Sequence, residues 1–248
     1  MHRSAITHLK RSDATLARVI ERVGPCRFRP EAAGTHFDAV ARAIVYQQLS
    51  GSAAHTIYTR LLAIHGTPPT AAQLLAAPDA QLRAVGLSRQ KIGYLRDLAT
   101  RASTGDVSFD TLHDLPDAGI VTALTRVKGV GLWTAQMFLI FRLGRPNVLP
   151  DLDLGIRKAI QRAYRMRALP SAERIQRLGR KWEPHCTIAS WYLWQLLDVD
   201  GVAGTPAAKR QGAASGKNGG VAGKNGGIAR KNRGSAGTRG GATRRNGA

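Results

Sequence analysis

Gly129 and Gly131 stand one residue apart in Leu124-Thr-Arg-Val-Lys-Gly-Val-Gly-Leu-Trp-Thr-Ala135, and a helix-like pattern from Leu132 to Leu143 follows them directly. A residue without Cβ can adopt positive φ and lets a ligand approach the main chain, so either glycine is free to do so. The first amides of a helix have no partner inside it and carry the positive end of its dipole. Together these features make a trap for an anion, and a phosphate oxygen suits it. A Gly-x-Gly also serves an ordinary joint between two helices, where glycine only closes the turn. The pair alone does not separate the two readings.

Composition favours the phosphate. The 248 residues include 37 Lys and Arg against 16 Asp and Glu, a formal charge of +21. Such an excess points to a polyanionic partner without choosing between DNA, RNA and a membrane surface. No apolar run approaches the roughly 20 residues that span a bilayer, and Met1-His-Arg-Ser-Ala-Ile-Thr-His-Leu-Lys10 lacks a signal-peptide core. A soluble, intracellular monomer is expected, cytoplasmic and nucleoid-associated if the source is bacterial. Cys26 and Cys186 cannot make a disulfide framework or a four-cysteine cluster site, and the histidines show no metal-ligand spacing.

The elements that must hold these residues are helical. Apolar residues recur at helical spacing from Phe37 through the Tyr46-Gln47-Gln48-Leu49 end of that run, and again over Ala53–Ile64, Gln90–Ala102 and Ala118–Val127. Gly155–Tyr164, Ala172–Lys181 and His185–Leu197 continue the series beyond the glycine pair, with Pro and Gly between segments. In Gln90-Lys91-Ile-Gly-Tyr-Leu-Arg96 the cations Lys91 and Arg96 read as a helix face that is either solvated or on phosphates. After Val202 there is no acidic residue, and ten of the 37 cations fall there among glycines that repeat loosely every seven residues. One apolar residue per repeat cannot build a core, so residues 204–248 are expected to be a disordered basic arm that tethers nucleic acid.

The glycine pair, the Gly144-Arg-Pro-Asn-Val-Leu-Pro150 loop and Asp151-Leu-Asp153-Leu-Gly-Ile-Arg157 come in an order that resembles the helix-hairpin-helix (HhH-GPD) superfamily of DNA repair glycosylases. The resemblance is to its alkylbase, 3-methyladenine branch. It implies an all-α, two-lobed helical fold over residues 1–203, without the N-terminal β-lobe that some relatives carry. It also implies duplex DNA held across the cleft by Lys128, Gly129, Val130, Gly131 and Thr134. Lyases of the superfamily carry a nucleophilic lysine where this chain has Trp133, so the resemblance implies a monofunctional enzyme that uses water. The signature Asp-x-Gly-Ile assigns catalysis to Asp153, which would stabilise an oxocarbenium-like sugar. Asp151 is the runner-up and the better candidate for capping the next helix.

Tyr46-Gln47-Gln48-Leu49-Ser50-Gly51 resembles the family's minor-groove loop. Leu49 would fill the gap left by a flipped nucleotide while Gln48 touches base edges; from periodicity alone Leu49 equally ends a core stripe. In Lys181-Trp-Glu-Pro-His185-Cys-Thr-Ile-Ala-Ser-Trp-Tyr-Leu-Trp194, His185 holds the family's aromatic place and Cys186 that of an arginine. Trp133, Met137 and His185 are thus the expected base pocket, while Trp191 and Trp194 read as packing residues. No cofactor and no iron–sulfur cluster are expected. Relatives bind a monovalent cation through hairpin carbonyls, here those of Thr125, Val127 and Val130. The activity implied is excision of alkylated purines. Uracil or hypoxanthine excision on the same fold, or DNA binding without catalysis, are the alternatives.

Overall fold

Polar side chains mark where the helices begin. Asp13, Thr35, Ser50, Thr70, Ser88, Asp153 and Ser171 each accept a backbone N–H from the turn that follows, and each such cap is worth about 1 kcal/mol. The computed structural model describes residues 2–201; the basic arm expected at 204–248 lies outside them. Among the described residues there are twelve α-helices and no strand. They are α1 (Arg3–Ser12), α2 (Ala14–Val23), α3 (His36–Tyr46), α4 (Gly51–His65), α5 (Ala71–Ala76), α6 (Asp79–Ala84) and α7 (Arg89–Ser103). After a short 3-10 turn at Leu112–Asp114 come α8 (Asp117–Thr125), α9 (Leu132–Met137), α10 (Leu154–Ala163), α11 (Ala172–Gly179) and α12 (Cys186–Val199). Helices α1, α2, α5 and α6 were not among the expected segments.

The helices fall into two groups, in keeping with a two-lobed fold. In one, α7 packs on α3, α5 and α6, α3 on α4, and α8 on α9. The other is built from distant parts of the chain, with α2 and α10 packed on α12 and α1 on α2. Long-range bonds fasten that second lobe. Asp13 accepts from Tyr164 Oη at 2.6 Å and from Trp182 Nε1 at 3.3 Å, while Tyr192 Oη donates to Gly24 O at 3.1 Å. Hydrogen bonds from Tyr164 and Trp182 and from the Leu16 and Thr15 amides hold the Asp13 carboxyl below its usual range, although burial pushes it up.

The pattern from Leu132 to Leu143 does not form one α-helix. The chain leaves α9 at Met137 for a wider π-helical turn, Phe138–Arg142, where Leu143 N bonds to Phe138 O at 3.1 Å, five residues back. Outside partners account for the change. Glu31 N donates to Phe141 O at 2.7 Å, and the Arg142 guanidinium donates to the carbonyls of Glu31, Ala33 and Gly34 at 2.9, 2.7 and 2.5 Å.

Candidate active site

Helices α8 and α9 form the hairpin, and its two glycines do different work. Gly129 has φ +80°, and a Cβ there would lie 2.2 Å from the Tyr94 ring, so both backbone and packing demand glycine. Gly131 does not use that freedom: its φ is −97°, an ordinary value for any residue. A Cβ at Gly131 would meet nothing within 4 Å. That space lies at the start of α9, which has no side-chain cap, so the amides of its first turn are left for another partner. Lys128 projects into solvent while its amide donates to Asp97 Oδ2 at 2.8 Å. Val130 and Thr134 point inward and are buried. Thr125 is exposed, and the Val127 carbonyl accepts from Val130 N at 3.0 Å, closing the turn.

Behind the hairpin, three N–H donors converge on one carboxylate. Asp153 is only 4% exposed; its Oδ2 accepts from Trp133 Nε1 at 2.7 Å, and its Oδ1 from Trp194 Nε1 at 2.9 Å and Ile156 N at 2.8 Å. All three donors are neutral nitrogens, and a carboxylate accepts from them without a proton of its own. Asp153, not Asp151, therefore caps α10, because the chain turns into the helix one residue after it. The Asp151 carboxylate accepts instead from Gln176 Nε2 at 2.6 Å. Leu152 and Leu154, on either side of Asp153, point outward. Trp194 was expected to be a packing residue and is more than that. It does stack on Phe141, with ring centroids 5.6 Å apart, but its N–H reaches the candidate catalytic acid. A buried indole N–H needs an acceptor, which is the one signal in the sequence that could have raised the question.

The model of the HhH-GPD superfamily base excision DNA repair protein matches residues 41–184, which include the hairpin, Trp133 and both aspartates. The chain belongs to the HhH-GPD superfamily. It is 27% identical over 199 residues to the alkylbase DNA glycosidase-like protein mag2 of Schizosaccharomyces pombe, covering 79% of this chain and 93% of that protein. It is 30% identical over 194 residues to DNA-3-methyladenine glycosylase 1 of the same yeast, covering 76% and 84% of the two chains. Among solved structures it resembles the S. pombe 3-methyladenine DNA glycosylase Mag1 in complex with abasic DNA. The TM-score is 0.71 at 30% identity, over 79% of this chain and 97% of that one.

In this HhH-GPD protein a cleft of about 360 Å³ opens beside Trp133, with Tyr46, Gln47, Gln48, Lys91, Tyr94 and Thr134 around it. Gln48 is exposed at φ +57°, a left-handed conformation uncommon for a residue with Cβ. Leu49 next to it is half-buried and is not among the apolar residues packed on the core. Met137, buried one turn beyond Trp133, borders a separate void of about 40 Å³ with Ala39, Ala43 and Phe141. His185 flanks the start of α12, and its ring lies edge-on to His8 of α1 at 5.4 Å. Trp133 is thus the one expected pocket residue that joins the cleft to Asp153. Burial pushes the Cys186 thiol up to about 12, so it stays protonated and inert.

Neither cation singled out on α7 is left for phosphate. Lys91 Nζ donates to Val45 O at 2.6 Å and Gln47 O at 2.8 Å, and the Arg96 guanidinium donates to Leu75 O, to Ala77 O at 2.5 Å and to Asp79 Oδ1 at 2.8 Å. Among the described residues no group of three or more His, Cys, Asp or Glu could hold a metal ion, and no helix is long and apolar enough to cross a membrane.

Proposed function

We propose that this protein is a monofunctional DNA glycosylase that flips alkylated purines of the 3-methyladenine type out of duplex DNA and hydrolyses their N-glycosidic bond, the first step of base excision repair. The observation that carries the reading is Asp153, buried and fixed by two indoles and an amide, with Trp133 where a lyase would need an amine. The hairpin holds a backbone phosphate near Gly131, Leu49 enters the stack, and the sugar C1′ of the flipped nucleotide comes against Asp153. The bond from C1′ to the base nitrogen breaks with its electron pair leaving on the base. Asp153 offsets the positive charge on the sugar, water adds its oxygen to C1′, and the water proton leaves to the carboxylate or to solvent. An alkylated, cationic base leaves without prior protonation, so one carboxylate suffices.

Hydrolysis of this kind requires water and no organic or redox cofactor. A monovalent cation would sit on the carbonyls of Thr125, Val127 and Val130; the Val127 carbonyl keeps one lone pair for it after accepting the Val130 amide. The site of action is the chromosome, in the cytoplasm if the source is bacterial.

Incubation with methylated duplex DNA, followed by chromatography of the free bases, tests the reading. The expected result is release of methylated purines, an intact abasic strand, and no covalent adduct trapped by borohydride. Asp153→Asn should lower single-turnover release by about 10²–10³-fold, as lost transition-state stabilisation does elsewhere, with duplex affinity kept. Release of uracil or hypoxanthine in place of methylated bases would move the substrate class, and near-normal activity of Asp153→Asn would move the catalytic role.

A further inference from the structure

Three side chains on one face of α7 end on the two loops that the glycosylase reading assigns to DNA. Lys91, Tyr94 and Asp97 follow at intervals of three, so they share a helix face. The Lys91 ammonium holds the carbonyls of Val45 and Gln47, at the C-terminal end of α3 where the minor-groove loop begins. Such carbonyls lack partners within their own helix and sit at the negative end of its dipole, so a cation is favoured there. The Tyr94 ring fills the place where Gly129 would carry a Cβ. The Asp97 carboxylate accepts the Lys128 amide at 2.8 Å, and Arg101 Nε braces it from one turn further along at 3.0 Å. A cross-tie closes the triangle: Gln47 Nε2 donates to Gly129 O at 2.8 Å and reaches Thr134 Oγ1 at 3.4 Å.

We propose that α7 acts as a splint between the minor-groove loop and the hairpin, with Lys91 and Gln47 as positioning residues for base flipping. A phosphate contact is the other use for a lysine here, and the geometry opposes it. Two of the three Nζ protons are already donated to carbonyls, and the side chain is half-buried. Burial holds the amine below its usual pKa.

The arrangement answers a requirement of the reaction. The wedge and the phosphate grip must engage the same duplex at a spacing set by the DNA, so an error in their separation misplaces the flipped sugar at Asp153. Gln48 shows the same control at the next residue. It holds φ +57° directly after Gln47, which is fixed through both its carbonyl and its side chain. Such a conformation persists only where the surroundings over-determine it.

The proposal rests on the glycosylase reading, and the experiment keeps the two apart by measuring flipping without catalysis. Full-length Lys91→Met, Lys91→Arg and Gln47→Ala proteins would be compared with wild type on duplexes carrying 2-aminopurine beside a methylated base. Thermal melts of each would be recorded alongside. Expected for Lys91→Met and Gln47→Ala are a reduced fluorescence rise on binding, and single-turnover release about tenfold slower from a paired site. That loss is smaller than the roughly hundredfold that a 1 Å misplacement can cost. Release from a mismatched site, where flipping is easier, should fall much less. Affinity for undamaged duplex should hold, Lys91→Arg should retain the wild-type signal, and the double variant should lose more than either single, because Lys91 and Gln47 hold the loop by separate ties, one to α7 and one to the hairpin.

Unchanged fluorescence and release in a folded variant overturn the splint, as does equal slowing at paired and mismatched sites. If Lys91→Met melts early, Gln47→Ala decides, since the hydrogen bonds of its side chain go to the hairpin and not to α7. A wild-type protein that flips but releases no methylated base would refute the glycosylase reading and leave the splint to be judged on fluorescence.

Discussion

Trp133 and Trp194 donate their indole N–H groups to different oxygens of one buried carboxylate, and that sharing makes the pair testable one ring at a time. Trp194→Phe keeps an aromatic ring against Phe141 but removes a donor. It should cost about 1–3 kcal/mol in urea unfolding for the bond lost at a buried acceptor. Single-turnover release should fall with it, while duplex affinity holds. If Leu49, next to Gln48 in the loop, is the wedge, Leu49→Ala should slow excision from a fully paired duplex more than from a mismatched one, because a wedge is needed most where unstacking is hardest. Equal slowing would take the wedge role away from Leu49. The aspartate was legible because Asp153-Leu-Gly155-Ile156 is a local motif that matches the family's Asp-x-Gly-Ile signature. Trp194 was not, because 41 positions separate it from Asp153 and a periodic pattern reports that a face is apolar without saying where its one N–H points.

Helices reveal themselves in sequence by period, while the joints between them depend on partners from elsewhere. The six-residue α5 carries a readable start, the Thr70–Gln73 capping box, but is too short to show a period. The widened turn after α9 could not be read at all, since its cause is Glu31 more than a hundred positions earlier. The two hairpin glycines looked equivalent for the same reason. Gly129→Ala forces a side chain into φ +80° and into the Tyr94 ring, so calorimetry should show a loss above the roughly 1–3 kcal/mol of backbone strain alone. Gly131→Ala has room and an ordinary φ, so stability should change by less than about 0.5 kcal/mol. Its methyl group would nevertheless stand where a phosphate is expected, and a titration with undamaged duplex should show weaker binding. Normal affinity in that variant would remove the phosphate from the start of α9.

Across the described residues, two histidines add to the loss of stability on the acid side. Burial, and then the neighbouring charges of Arg142 and His113, lower the His36 pKa; burial and then His8 lower that of His185. His36 Nδ1 also accepts from Arg142 Nε at 3.0 Å, which a protonated ring could not do. Both folded pKa values lie below the unfolded 6.5. The stability they contribute is complete above that pH and is lost as pH falls through the folded values. Melting temperature should be level from neutral to mildly alkaline pH and drop as pH falls below the ordinary histidine value of 6.5. His36→Gln should flatten part of that drop, and an unchanged profile in the variant would exclude this source.

The lobe built from distant segments also has a consequence for synthesis on the ribosome. The apolar faces of α1 and α2 emerge first, but their partner α12 begins only at Cys186. At about 5–20 residues per second that is an interval on the order of ten seconds in which the nascent chain carries exposed apolar surface. Trp194 emerges last among the groups around Asp153, so a chain whose translation stalls before it already displays the hairpin and the minor-groove loop but lacks the second indole. On the glycosylase reading, such a fragment would hold DNA without completing a repair.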